Sequence, residues 1–362
     1  MSVSLYTSSR EQQNEIKPAL RNPSGRKLWH ERKVDVLSME LVEKMLNGNP
    51  QSLARLISLI EREAPEEPEI MKTIFPHVGK ARTIGITGPP GAGKSSLVDK
   101  LTALMRHEGL TVGIIAVDPT SPFSGGAVLG DRIRMQQHYL DEGVFIRSMA
   151  TRGSRGGLPK TTPNVMKILD ASGKDIILVE TVGVGQTELD IMEAVDTVTV
   201  ILVPEAGDTI QTMKAGLLEI ADIFAINKAD RPGADYLVAE LDSTLHQNPK
   251  HKWWQVPVLA TQAINDVGIN ALYEQIKKHG DVLKETGQLE IKRRQQRKKE
   301  LTQAVEQTVA SRLWNIIGQE EQFAYYINKV EEGEIDPYSA CKIILDDQML
   351  ITKWVKRLEA QN

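Results

Sequence analysis

A lysine and a serine stand directly behind a run of glycines in Gly88-Pro-Pro-Gly91-Ala92-Gly93-Lys94-Ser95. This is the G-x-x-x-x-G-K-[ST] spacing that wraps phosphate. Glycines let backbone N–H groups close around the anion, a lysine reaches the β- and γ-phosphates, and a serine hydroxyl ligates Mg²⁺. The context agrees with the pattern, because an apolar run at 83–87 precedes the cradle and a helical pattern opens at Lys94, whose positive N-terminal end favours anions. Gly88, Gly91, Ala92, Gly93, Lys94, Ser95 and Ser96 are therefore the candidate phosphate-binding residues.

About 130 residues downstream, Asn227-Lys228-Ala229-Asp230 follows another apolar run. An aspartate at the fourth position can accept from both N1–H and the 2-amino group of guanine, and a lysine at the second can lie along the ring. Adenine offers neither donor, and a carboxylate left unpaired makes such a site reject the wrong base. The pattern Ala260-Thr261-Gln262-Ala263 stands where a Ser-Ala pair commonly closes a guanine pocket, with the Ala263 N–H as a donor toward guanine O6 and Gln262 beside it. Between the two motifs, Glu180-Thr-Val-Gly183 occupies the place of a D-x-x-G switch segment, with glutamate for aspartate. Its carboxylate can hold Mg²⁺ directly or through water, and the Gly183 N–H can sense the γ-phosphate. Val184 follows Gly183 directly, where Ras-like enzymes carry the glutamine that orients the attacking water. Gln186, two residues further on, is the candidate for that role, and slow hydrolysis in the absence of a partner is expected.

These residues need a scaffold, and the sequence supplies one. Short β-branched runs at 83–87, 111–117, 144–148, 175–180, 197–203, 223–227 and 256–259 alternate with helical patterns. Near-continuous apolar strands of this kind belong to parallel sheets buried on both faces, so the middle of the chain reads as a doubly wound α/β domain. Residues 1–75 read as a polar, mobile segment followed by helices broken at "NGNP", 76–285 as the nucleotide-binding domain, and 286–362 as a C-terminal helical arm suited to dimerisation. The arm opens with six basic residues between Lys292 and Lys299. A solvated helix face is the expectation for such a run.

Composition bounds the rest. A chain of 362 residues with 41% hydrophobic and 25% charged content and a net charge of −4 has an ordinary globular composition without the basic footprint of a nucleic-acid binder. One cysteine and seven scattered histidines argue for a reducing, cytoplasmic setting and against soft-metal clusters. No apolar run approaches the roughly 18 residues a membrane span needs.

The longer stretches "GPPGAGKSSL", "AVDPTSPFSGGAVLGDRIRM", "VETVGVGQTE" and "VPEAGDTIQTMKAGLLEIADIFAINKAD" together resemble the MeaB/ArgK family of P-loop GTPases, over roughly residues 35–330. The resemblance implies a homodimeric GTPase, binding GTP or GDP with Mg²⁺, that protects adenosylcobalamin-dependent methylmalonyl-CoA mutase and gates its cofactor loading. It also implies that Asp118 and Asp131 join Ser95 and Glu180 in the metal site, and that the loop 204–214 signals nucleotide state, with Lys214 equally readable as a solvated helix lysine. Other readings are a metallochaperone GTPase for nickel enzymes, an ATP-dependent kinase linked to amino-acid transport, and an assembly factor whose hydrolysis is incidental.

Overall fold

The computed structural model describes residues 37–118, 135–151, 158–183, 188–206, 217–247, 250–318 and 320–360. Its centre is a seven-stranded sheet in the order β3-β2-β4-β1-β5-β6-β7. The strands are β1 (Arg82–Thr87), β2 (Val112–Asp118), β3 (Val144–Ala150), β4 (Ile176–Glu180), β5 (Thr197–Leu202), β6 (Ile223–Ile226) and β7 (Val258–Ala260). Each falls on one of the seven apolar runs, and the registers Ile84↔Thr197, Val112↔Val144, Thr199↔Ile223 and Phe224↔Val258 are all parallel. Every residue of β2, β4, β5 and β6 is buried, which is why these segments read as unbroken hydrophobic runs.

The chain divides into two compact units. The first holds β2, β3, the last residues of α4 (Lys94–His107) and the helices α1 (37–46), α2 (Pro50–Glu61), α3 (Glu67–Ile74) and α5 (Thr162–Ala171). The turn at "NGNP" ends α1 as expected, and the Asn49 side chain accepts from Ser52 N–H at 2.8 Å to cap α2. Leu53, Leu56, Ile57 and Ile60 form the buried face of α2, which packs on α5. Arg147 on β3 is held by Glu61 and by Ser58 Oγ at 3.0 Å. Helix α3 is a feature the Pro- and Glu-rich stretch 64–70 does not advertise. Pro68 in the first turn, Glu67 and Glu69 at the positive helix end, and Ile70 and Ile74 one turn apart and fully buried explain it.

The second unit holds nearly all of β1, the end of β4, β5 to β7, most of α4, and the helices α6 (Glu188–Ala194), α7 (Ala234–Gln247), α8 (Ile269–Glu285) and α9 (Gln288–Ile317). It continues through α10 (Glu321–Glu331), α11 (Pro337–Asp346) and α12 (Gln348–Ala360). Within the expected helical arm, α11 and α12 are separate helices because Asp347 is extended and its carboxylate accepts from Met349 and Leu350 N–H at 3.0 Å, starting a new helix. Ile316, Ile317, Ile344, Leu350 and Trp354 give these last helices a small core of their own. The basic run departs from its expectation of full solvation. Lys292 and Arg293 turn inward to Asp196, whereas Arg294, Arg297, Lys298 and Lys299 are exposed.

Candidate nucleotide site

The phosphate cradle is built by the crossing from β1 into α4. Lys94 is only 7% exposed, and its Nζ donates to the carbonyl oxygens of Gly88 and Pro89 at 3.0 Å and of Val182 at 3.3 Å. The ammonium is thus folded into the loop whose amides it would complement. Ser95 Oγ donates to Glu180 Oε1 at 2.6 Å, both residues being buried. The switch-like segment is tied to the cradle twice more, by Thr181 N–H to Ile86 O at 3.0 Å and by the Thr87–Thr181 hydroxyl pair at 2.8 Å.

Gly183 shows why the segment needs a glycine where it meets the cradle. Its φ is +79°, and a Cβ there would fall 1.9 Å from Gly88 O and 2.7 Å from Lys94 Nζ. Gly93 is constrained from the other side, since its Cβ would lie 2.3 Å from Asn227 Nδ2.

That contact leads to the base-reading loop. Asn227, 2% exposed at the end of β6, donates from Nδ2 to Ala92 O at 2.8 Å and accepts at Oδ1 from Ala263 N–H at 3.1 Å and Thr261 Oγ1 at 3.4 Å. One amide side chain therefore joins the phosphate loop, the N-K-x-D loop and the closing loop. The Ala263 N–H, expected to face guanine O6, is spent on Asn227 in this arrangement. Lys228 takes a left-handed φ of +58° and Asp230 is exposed beyond it. Gln262 Oε1 accepts from Asn265 Nδ2 at 3.0 Å, tightening the closing turn, and Lys100 on α4 bonds Asp266 at 2.9 Å. Next to Asp230, Arg231 pairs with Glu205, and the guanidinium hydrogen bond holds the Glu205 carboxyl below the usual carboxylate range.

Of the residues singled out in the sequence, the structure brings together Gly88, Gly93, Lys94, Ser95, Glu180, Gly183, Asn227 and Ala263. Asp118 ends β2 and is 6% exposed, in the other compact unit. Asp131, Gln186 and Lys214 lie outside the described residues. Sequence reasoning missed the Thr87–Thr181 pair and the bridging role of Asn227, because a side chain's partner across 135 residues leaves no mark in local spacing. Among the described residues no group of three or more His, Cys, Asp or Glu side chains is gathered for a metal, and no helix is long and apolar enough to cross a membrane.

A profile described as "Methylmalonyl Co-A mutase-associated GTPase MeaB" matches residues 53–317. The chain belongs to this GTPase family. A Pyrococcus abyssi relative, whose name goes no further than GTPase, is 51% identical over 312 residues, 85% of this chain and 96% of its own length. GTPase ArgK of Escherichia coli is 34% identical over 283 residues, covering 76% of this chain and 86% of that one. The mouse mitochondrial methylmalonic aciduria type A homolog is 31% identical over 319 residues, covering 83% and 77%. A crystal structure of an LAO/AO transport system kinase superposes with a TM-score of 0.65 at 27% identity, covering 86% of this chain and 97% of the other.

Proposed function

We propose that this chain is a Mg²⁺-dependent, slow GTPase that acts as a nucleotide-gated chaperone of adenosylcobalamin-dependent methylmalonyl-CoA mutase. The observation that carries the nucleotide part is the Asn227 bridge. It holds the phosphate cradle and the N-K-x-D loop at a fixed separation, so one ligand with a guanine base and a polyphosphate spans both. Lys94, now held by neutral carbonyl oxygens, exchanges them for charged phosphate oxygens, a stronger class of hydrogen bond. Asp230 reads the base and Lys228 covers it.

The Ser95 hydroxyl and Glu180 carboxylate, buried together at 2.6 Å, fit Mg²⁺, which takes oxygen donors and keeps several waters. Asp118 and Asp131 are assigned as further acids of that site on the family resemblance. When bound, the ion neutralises charge on the β- and γ-phosphates. Gly183 senses the γ-phosphate, and Gln186, three residues later in the sequence, is the candidate to orient the attacking water. With valine directly after Gly183, a partner is required to complete hydrolysis. Residues 76–285 form the GTPase domain, and 286–362 a dimerisation arm that makes the protein a homodimer in a cytoplasmic setting.

The mutase as partner is supported by the family description and by the mouse relative's name. The test is to add adenosylcobalamin-dependent mutase to the purified chain. The reading expects a several-fold rise in GTP hydrolysis and a GTP-versus-GDP difference in cofactor transfer to the mutase. Absence of both removes the chaperone role while leaving the GTPase. An ATP-dependent kinase reading is favoured by the description of the superposed transport-system protein. It requires ATP turnover at least equal to that of GTP, against which Asp230 argues.

A further inference from the structure

The basic run 292–299, which nucleotide chemistry leaves unused, grips a segment just downstream of Gly183. Arg293 Nε and Nη2 donate to the two oxygens of Asp196 at 3.1 and 2.8 Å, and Lys292 Nζ donates to the Asp196 carbonyl oxygen at 2.9 Å. Two turns further along α9, Lys299 pairs with Glu193. Asp196 is 5% exposed and is bound on its other side too. Its carboxylate accepts from Thr83 N–H at 3.0 Å, and its own N–H donates to Thr83 Oγ1 at 2.8 Å and Thr83 O at 3.0 Å. One carboxylate thus joins the start of β1, the residue just past α6 and the first turns of α9.

Helix α6 begins five residues after Gly183 and lies hard against β1. A Cβ at Gly85 would fall 2.5 Å from Ile191 Cγ1 and 3.0 Å from Val195 Cγ2, so helix and strand approach with no room for a side chain. Beyond Gly85, β1 runs directly into the cradle. A fork-like guanidinium on a buried carboxylate fixes geometry in a way that a solvated lysine does not.

We infer that Arg293, assisted by Lys299, is a positioning residue of the nucleotide site. From α9 these cations hold Asp196 and Glu193, and through them the seat of α6 on β1 that sets how the Glu180–Gly183 segment meets the γ-phosphate. The inference rests on the GTPase reading and gives the long helix a role in it. GDP is held by the cradle and the base loop, whereas hydrolysis also needs the Gly183 segment in register with the γ-phosphate. Disturbing the clasp therefore acts on turnover and not on GDP affinity.

The test measures kcat for GTP, Kd for GDP and Tm on the full chain and three variants. Arg293→Lys keeps the charge and loses the fork; it is expected to lower kcat about 10-fold with GDP affinity within about 2-fold, since small misplacements of catalytic groups cost that much. Lys299→Glu, at a pair 45% exposed on both sides, is expected to lower kcat about 3-fold, with Glu193→Lys added to it restoring most of the loss. Unchanged kcat in both single variants, or a swap that restores nothing, overturns the inference. So does a parallel fall of kcat, GDP affinity and Tm, which marks a purely structural clasp. If the wild-type chain binds neither GTP nor GDP, the nucleotide reading itself fails and this inference falls with it.

Discussion

Beyond the carboxyl ends of β1 and β6 the chain places Lys94, Ser95 and Asn227. At the amino ends of β5 and β6 it places Asp196 and Asp222, and packs Lys250, His279, Lys292 and Arg293 onto them. Both ends are buried and polar, but they use their groups differently. At the amino ends opposite charges meet. Asp222 accepts from Val198 N–H at 2.9 Å and Lys250 Nζ at 3.2 Å, with His279 Nε2 at 3.9 Å and Trp254 Nε1 bound to its carbonyl oxygen at 2.7 Å. At the carboxyl ends Lys94 rests on carbonyl oxygens and Asn227 on backbone groups and the Thr261 hydroxyl, neutral partners that a charged ligand can displace or share. The amino ends are closed by their own ions, which at Asp222 serve stability; the carboxyl ends carry the groups proposed to exchange partners when a ligand binds.

The sharpest way to break this contrast is to remove a charge from each end and ask which property fails. Lys94→Ala is expected to lower kcat for GTP by about 10³–10⁵, as loss of a phosphate-neutralising cation does in phosphoryl transfer, with Tm nearly unchanged. Steady-state kinetics beside a thermal melt checks both halves. Asp222→Ala should do the reverse, costing about 3 kcal/mol of stability because it leaves Lys250 without its carboxylate partner and Lys292 with Asp196 alone as counter-charge, read by urea unfolding.

Acid adds a third probe. Burial pushes the His279 pKa down from 6.5 to about 4. The folded protein therefore keeps this ring neutral between pH 6.5 and 4 while the unfolded chain takes up the proton, so stability falls as pH drops through that window. The full effect is on the order of 3 kcal/mol near pH 4. His279→Gln should flatten that part of the pH–stability curve, and a slope equal to wild type would remove His279 as its source. The smallest expected effect is at the base loop. Asn227→Ala unties Ala92 from Ala263 and should weaken GDP by about 1–3 kcal/mol, measured calorimetrically, while costing less stability than Asp222→Ala.

Much of this was legible in the residues. The seven strands are visible because buried parallel strands must be apolar throughout, and the cradle because backbone wrapping of phosphate demands glycines at fixed offsets. The rest depends on partners remote in sequence. Lys292 and Arg293 look like their neighbours Arg294 and Lys298, and only Asp196, 97 residues before Arg293, distinguishes them. Helix α3 is hard to read in the sequence because Pro68 and two glutamates fill its first turn and only Ile70 and Ile74 are buried. The Ala263 N–H was assigned to a ligand atom because nothing in its motif reveals that Asn227 Oδ1 lies within 3.1 Å.

Titration of wild type and Asp230→Asn with GDP and xanthosine diphosphate tests whether the chain carries a guanine nucleotide site read by Asp230. The carboxylate accepts from the guanine 2-amino group and repels the 2-oxo group of xanthine, whereas the amide donates to that oxygen. Wild type should prefer GDP by about 10²-fold or more, and the variant should invert the preference. Equal affinities in wild type, or a variant that keeps the GDP preference, would contradict a guanine site read by Asp230.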